Sequence, residues 1–175
     1  MVSYKVGDKF PTKVDFQYIP YVPENSDILA CSIPTVYSLS KKLPGRTVVI
    51  VSVPGAFTPT CTADHIPPYV AKIKQLRAKG VDDVVVISAN DSFVLAAWGK
   101  ALGAKDEIIF ASDPNALVST ELGLQKDLTA VGFGIRTSRY AAIVVDGVIK
   151  YLEEEPGQGV SVSGVESILS ALDNI

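Results

Sequence analysis

The 175 residues are 47 % hydrophobic and 20 % charged, a length and apolar content that suit one globular domain over 1–175 and leave little room for a second. Sixteen Lys and Arg against nineteen Asp and Glu give a formal net charge of -3, and only Glu153-Glu154-Glu155 stands out as a like-charge run, so neither nucleic acid nor an anionic membrane is an expected partner. No stretch approaches the ~18 uninterrupted apolar residues of a membrane span, MVSYKVGDKF lacks an apolar signal core, and the ending Asp173-Asn174-Ile175 is not a peroxisomal tripeptide, which makes the cytosol the expected location.

Residues 1–43, with Pro11, Pro20, Pro23 and Pro34, read as extended chain and turns carrying Cys31, with regular structure expected only after them. Thr47 to Val53 is a β-branched run stopped by Pro54-Gly55, too short for most helices, and predicts a buried strand. Thr60 to Lys79 then takes helical spacing, with Ile66, Val70, Ile73 and Leu76 on one stripe and Gly80 as the stop. Val84 to Ser88 repeats the strand pattern, and Asp91 or Ser92 can cap a helix running through Leu102 to Gly103. Ile108 to Ala111 predicts a third strand, and Asp113-Pro114 opens a short helix to about Leu122. After a loop with Gly132 and Gly134, the runs Tyr140 to Val145 and Val148 to Leu152 flank Asp146-Gly147, a strong hairpin signal. A last helix is predicted near Val165 to Leu172. Strands alternating with helices, then a hairpin and a final helix, describe an α/β chain with a mixed central sheet and helices on both faces, the order used by thioredoxin-like folds.

Two cysteines, Cys31 and Cys61, without an export signal argue against a disulfide scaffold and for thiols with catalytic or redox-sensing chemistry. Cys61 falls where the run Pro54-Gly55-Ala56-Phe57-Thr58-Pro59-Thr60-Cys61 meets the start of a helix. Free backbone N–H groups and the positive end of the helix dipole favour a thiolate there over a thiol. Thr58 puts a hydroxyl three residues before the sulfur, and Pro54 and Pro59 stiffen the approach and limit water. The plainer alternative is a Cys that serves as a small buried hydrophobe.

The run PGAFTPTC tips that balance. It resembles the active-site signature of the peroxiredoxins, in which Pro, three residues, Thr, two residues and Cys are matched by Pro54, Thr58 and Cys61. Its wider context, VPGAFTPTCTADHIPPYV, is similar to the type II or peroxiredoxin-5-like group, which includes fungal alkyl hydroperoxide reductases and plant type II enzymes. The segments VVVISANDSFVLAAWGKALG, FASDPNA and SRYAAIVVDGVIKY extend the likeness from about residue 44 onward. The resemblance implies a further catalytic Arg opening the strand after the Gly-rich loop. Arg139, directly before Tyr140, matches it, with Arg136 as the competitor. His65 follows Cys61 by four residues, but no third group is evident to orient it as a protease base, so helix packing is its expected role. Two Cys and one His do not make a zinc set.

The resemblance further implies an antioxidant thiol peroxidase that needs no cofactor: the Cys61 thiolate attacks hydrogen peroxide or an alkyl hydroperoxide and becomes a sulfenic acid. Other members keep a resolving Cys near Val162 or at Val86, where this chain has none. Cys31 instead resembles the resolving cysteine of certain fungal members, which bridges to the active-site Cys of the partner in a homodimer. Thioredoxin is the reductant this implies, with glutaredoxin or glutathione serving a one-cysteine alternative. A peroxide sensor using the same thiolate is the competing function.

Overall fold

The computed structural model describes residues 4–175. Its strands are β1 (Phe16–Tyr18), β2 (Thr35–Tyr37), β3 (Thr47–Ser52), β4 (Asp83–Ser88), β5 (Ile109–Ser112), β6 (Gln125–Leu128), β7 (Gly134–Thr137), β8 (Tyr140–Val145) and β9 (Val148–Glu154). The α-helices are α1 (Leu39–Lys42), α2 (Ile66–Ala78), α3 (Ser92–Ala101), α4 (Leu117–Leu122) and α5 (Val165–Leu172). Seven strands form one sheet in the order β2-β1-β5-β4-β3-β8-β9, while β6 and β7 make a separate two-stranded sheet. The inner pairs β3·β4 and β4·β5 are parallel, and β8 runs antiparallel to β3. The sheet is therefore mixed, as the pattern of the sequence predicts.

The strand cores are apolar at every position because both faces are covered. Val49, Val51, Val84, Val86 and Ile143 pack with Tyr69, Ile73 and Leu76 of α2, Leu95 and Trp98 of α3, and Ile168 of α5. The alternating residues Val48, Ile50, Val85, Ile87, Ala142 and Val144 face the other way, onto Phe10, Phe16, Tyr37, Leu39, Leu43 and Val118. Local chemistry sets the ends of these elements. The Asp91 carboxylate accepts from the N–H groups of Phe93 at 2.9 Å and Val94 at 3.0 Å, capping α3. Asp146 (φ 49°) and Gly147 (φ 75°) both take the left-handed conformation that a tight β8–β9 turn requires.

Several expectations are corrected. The opening segment is not turns alone: β1 pairs antiparallel with both β2 and β5, so the N-terminal chain completes one edge of the main sheet. Residues 125–137 are not merely a Gly-rich loop but the β6–β7 ribbon. The helix expected from Pro114 to Leu122 is broken, because Asn115 (φ 54°) and Ala116 (φ 53°) are left-handed. The buried Asp113 carboxylate holds that break in place by accepting from the N–H groups of Val118 and Ser119, each at 2.9 Å. The helix expected over Thr60 to Lys79 begins with a π-helical turn, Cys61–His65, in which the Ile66 N–H donates to the Cys61 carbonyl. Pro67 and Pro68 have no N–H to continue an ordinary ladder, so the turn before them widens.

Candidate active site

Strand register brings together two segments that lie far apart in the chain. Ser52, at the end of β3, pairs with Tyr140, at the start of β8. The chain leaving β3 towards Cys61 therefore runs beside the chain entering β8, which carries Arg139. Side chains join the two stretches: Ser52 Oγ donates to the Ser138 carbonyl at 2.8 Å, Thr137 Oγ1 to the Val53 carbonyl at 2.7 Å, and Arg136 Nη1 to the Pro54 carbonyl at 3.3 Å. From the other side, Asn90 Oδ1 accepts from the Ala56 N–H at 2.9 Å. A Cβ on Gly55 would sit 3.1 Å from Thr58 Cγ2 and 3.3 Å from Arg136 Nη1, so this close approach explains the glycine.

Cys61 is buried in the first position of the π turn, and Arg139 Nη2 donates to its Sγ at 3.4 Å. Of the two arginines that compete for this place in the sequence, it is Arg139 that reaches the sulfur. Arg136 is turned outward, with Nε on the Phe133 carbonyl at 2.8 Å. Thr58 Oγ1 donates its proton to the Gly55 carbonyl at 2.8 Å, which leaves the hydroxyl lone pairs free to accept an O–H from a bound molecule. Pro54, Thr58, Pro59 and Arg139 line a cavity of about 370 Å3. Four residues singled out in the sequence, Pro54, Thr58, Cys61 and Arg139, thus meet at one site. Cys31 does not join them. It is exposed on the N-terminal segment, its Sγ 3.7 Å from the Leu29 carbonyl, and both thiols are free.

His65 is more than a packing residue. Its Nδ1 lies 3.0 Å from Arg139 Nη1, and a guanidinium only donates, so Nδ1 is the acceptor and the ring proton belongs on Nε2. That Nε2–H faces the Ser163 carbonyl at 2.9 Å and Ser163 Oγ at 3.1 Å. Ser163 Oγ donates in turn to Glu155 Oε1 at 2.7 Å, and the Glu155 N–H donates to the Arg139 carbonyl at 2.9 Å. Arg139 is thus held at both ends by a buried network, its guanidinium through His65 and its backbone carbonyl by Glu155. The sequence offers little to reveal it, because Ser163 contacts His65 across 98 positions of the chain.

Burial first, then the Arg139 charge, drives His65 down to about 4, against the opposing pull of the Ser163 carbonyl and Glu155. Burial alone would raise Glu155, but donors from Ser161 and Ser163 outweigh it and hold the carboxylate at about 2. Both shifts favour the fold at neutral pH. As pH falls from 6.5 towards 4, the unfolded chain takes up the His65 proton and the folded chain does not. Stability should fall over that window by an amount on the order of 3 kcal/mol. Glu155 adds a further loss between 4.5 and 2. Urea midpoints measured against pH should show this decline. His65→Gln can still accept from Arg139 without titrating, and it should flatten the limb between 4 and 6.5.

The Redoxin family profile matches residues 5–169. A Lipomyces kononenkoae protein named as a peroxisomal peroxiredoxin is 55 % identical, over 94 % of this chain and 99 % of that one. Peroxiredoxin AHP1 of Chaetomium thermophilum is 43 % identical, over 99 % of this chain and 98 % of its own. Among solved structures, reduced Prx3 of Vibrio vulnificus in complex with hydrogen peroxide superposes with a TM-score of 0.83 at 36 % identity, covering 97 % of this chain and 99 % of that one.

Proposed function

We propose a two-thiol catalytic cycle for this chain, which belongs to the Redoxin family and is a peroxiredoxin, an antioxidant thiol peroxidase of the thioredoxin fold. A hydroperoxide enters the mouth between Pro54 and Arg139, and Thr58 Oγ1 accepts its O–H while Arg139 donates to its oxygens. The Cys61 thiolate attacks the terminal oxygen. An S–O bond forms, the O–O bond breaks, two electrons pass from sulfur to oxygen, and the departing alkoxide or hydroxide takes up a proton and leaves as alcohol or water. Charge on that leaving oxygen is met by a guanidinium already fixed by His65, so little reorganisation is needed during the reaction. The observation that carries this reading is the Arg139 fork, shared between Cys61 Sγ and His65 Nδ1 beside an open cavity.

Resolution falls to Cys31 of the partner in a homodimer. Its thiolate attacks the Cys61 sulfenic acid, an S–S bond forms as the S–O bond breaks, and the departing hydroxide takes up a proton and leaves as water; the dithiol of thioredoxin then reduces the disulfide. Cys31 is exposed and Cys61 is buried, so the π turn must open before the two sulfurs meet, as a short terminal turn can at low free-energy cost. One equivalent of peroxide should convert the wild type into a covalent dimer on a non-reducing gel. Cys31→Ser and Cys61→Ser should each stay monomeric, and mixed together they should regain a singly bridged dimer. An oxidised wild type that runs as a monomer with both thiols lost would place the bridge within one chain. Undiminished thioredoxin-linked turnover in Cys31→Ser would make this a one-cysteine enzyme.

No helix among the described residues is long and apolar enough to cross a membrane. The sequence favours the cytosol, and the name of the Lipomyces relative favours the peroxisome. Fractionation of the tagged chain against peroxisomal and cytosolic markers decides between them.

A further inference from the structure

The peroxide mouth has a feature that the cycle does not use. Lys126 lines it from β6, together with Arg139, and the remaining lining residues are Pro, Thr, Gly and Gln. Two cations and no carboxylate thus face this opening. In the β6–β7 ribbon, Lys126 stands directly across from Arg136, so the two side chains project to the same face. Like charges directly opposed on antiparallel strands destabilise the pair, and nothing here neutralises them. Lys126 forms no ion pair among the described residues, and Arg136 has the carbonyls of Phe133 and Pro54 and the Phe133 ring as partners but no carboxylate.

The nearby carboxylates are committed elsewhere. Asp127 points to the opposite face of β6, where it accepts from the Thr129 N–H at 2.9 Å. Glu155 is consumed by Ser161 and Ser163. Asp64 has no side-chain partner among the described residues, but it lines the adjoining groove with His65 and Pro68 and not this opening. Two cations, Lys126 and Arg139, therefore line an opening of about 370 Å3 that is walled largely by proline, threonine and glycine, and Arg136 stands across from Lys126 on the ribbon behind it. Arg139 serves Cys61, His65 and the bound peroxide, and Arg136 is held by two carbonyls, so Lys126 is the cation here with no partner of its own.

We propose that this rim makes the site selective for organic hydroperoxides that carry a carboxylate, with Lys126 pairing with the carboxylate while the hydroperoxide end reaches Cys61. The proposal rests on the Cys61 peroxidase cycle above and names a substrate class within it. The attraction is that of an exposed pair at the lip of a cleft, and it acts on the rate of capture more than on the chemical step.

The test uses one carbon skeleton in two forms, a tertiary hydroperoxide of a short-chain carboxylic acid and its methyl ester, and reads the acid-to-ester ratio of kcat/KM. The wild type should favour the acid, and the preference should shrink as ionic strength rises, since a pair at the surface is screened within about 10 Å at 0.1 M salt. Lys126→Glu should lower the ratio by about tenfold or more, the lower end of electrostatic steering at a charged cleft, and Lys126→Arg should keep it. A wild-type ratio at or below one would overturn the proposal. So would a Lys126→Glu variant that slows acid and ester equally, because that is what a merely structural fault in the ribbon does. Hydrogen peroxide turnover by wild type and Cys61→Ser runs beside these assays. If Cys61→Ser matches wild type there, the underlying cycle fails, and the substrate assignment falls with it.

Discussion

Cys61→Ser should lose peroxide reduction altogether while remaining folded. A serine hydroxyl is not ionised at neutral pH and has no accessible higher oxidation state, so the step that forms the sulfenic acid has no counterpart. The structural cost is small by comparison. The side chain is buried in the core cluster that also holds Val53, Ile66 and Trp98, and a hydroxyl there retains Arg139 as a donor. A loss of about 1 kcal/mol, or roughly 2–4 °C in Tm, is the expected scale for a chain of this length. Peroxide consumption with thioredoxin and its reductase supplied, together with a thermal melt, separates the two effects. Cys31→Ser should behave differently: its first turnover with peroxide should run at the wild-type rate, because Cys31 takes no part in O–O cleavage.

Arg139→Lys should slow the reaction with peroxide by about 10²–10³, the usual consequence of removing one preorganised donor from a site of developing negative charge. The charge survives in lysine, but the planar fork does not. One ammonium cannot donate to Cys61 Sγ and His65 Nδ1 with the spacing that Nη2 and Nη1 provide at 3.4 Å and 3.0 Å. The comparison variant is Arg136→Lys, only three residues away. Arg136 bonds the Phe133 and Pro54 carbonyls and never reaches the sulfur, so the change should cost less than about 1 kcal/mol of stability, as for most partly exposed positions. Stopped-flow mixing of each reduced variant with hydrogen peroxide measures the difference. Equal slowing in both variants would assign the effect to the β7–β8 junction as a whole and not to the guanidinium at Cys61.

How much of this was legible in the sequence depended on how locally each feature is determined. The runs Thr47–Ser52 and Asp83–Ser88 read as strands because burial on both faces demands apolar residues throughout. Asp146-Gly147 signalled its hairpin because few residue pairs tolerate two consecutive left-handed conformations. The β6–β7 ribbon escaped because Gln125, Lys126 and Asp127 are exposed and polar and Leu128 alone is apolar and partly buried, which leaves no periodicity to see. The three-residue strands β1 and β2 are too short for a periodic signal, and the pairing of β1 with β5 is decided by tertiary packing. The π turn has nearly the same apolar spacing as an α-helix, and only Pro67-Pro68 hints at it.

At the site the same division holds. Pro54, Thr58 and Cys61 share one local motif, so a sequence can display them together. Arg139 was placed by the strand it introduces, and the β3·β8 register then carries it to Cys61. The roles of His65, Ser163 and Glu155 come from contacts across the fold, and a lone histidine four residues after a cysteine gives no sign of the guanidinium that binds it.

The most direct test of the central claim, that Cys61 is the atom peroxide oxidises first, is to locate the first oxygen. The Cys31→Ser protein, fully reduced, is given one equivalent of hydrogen peroxide, trapped with a sulfenic-acid reagent, digested and mapped by mass spectrometry. Stoichiometric adduct is expected on the peptide containing Cys61, formed as fast as peroxide disappears, and none in a parallel sample of Arg139→Met quenched on the same timescale. Peroxide consumed at the wild-type rate with Cys61 still a free thiol would contradict it.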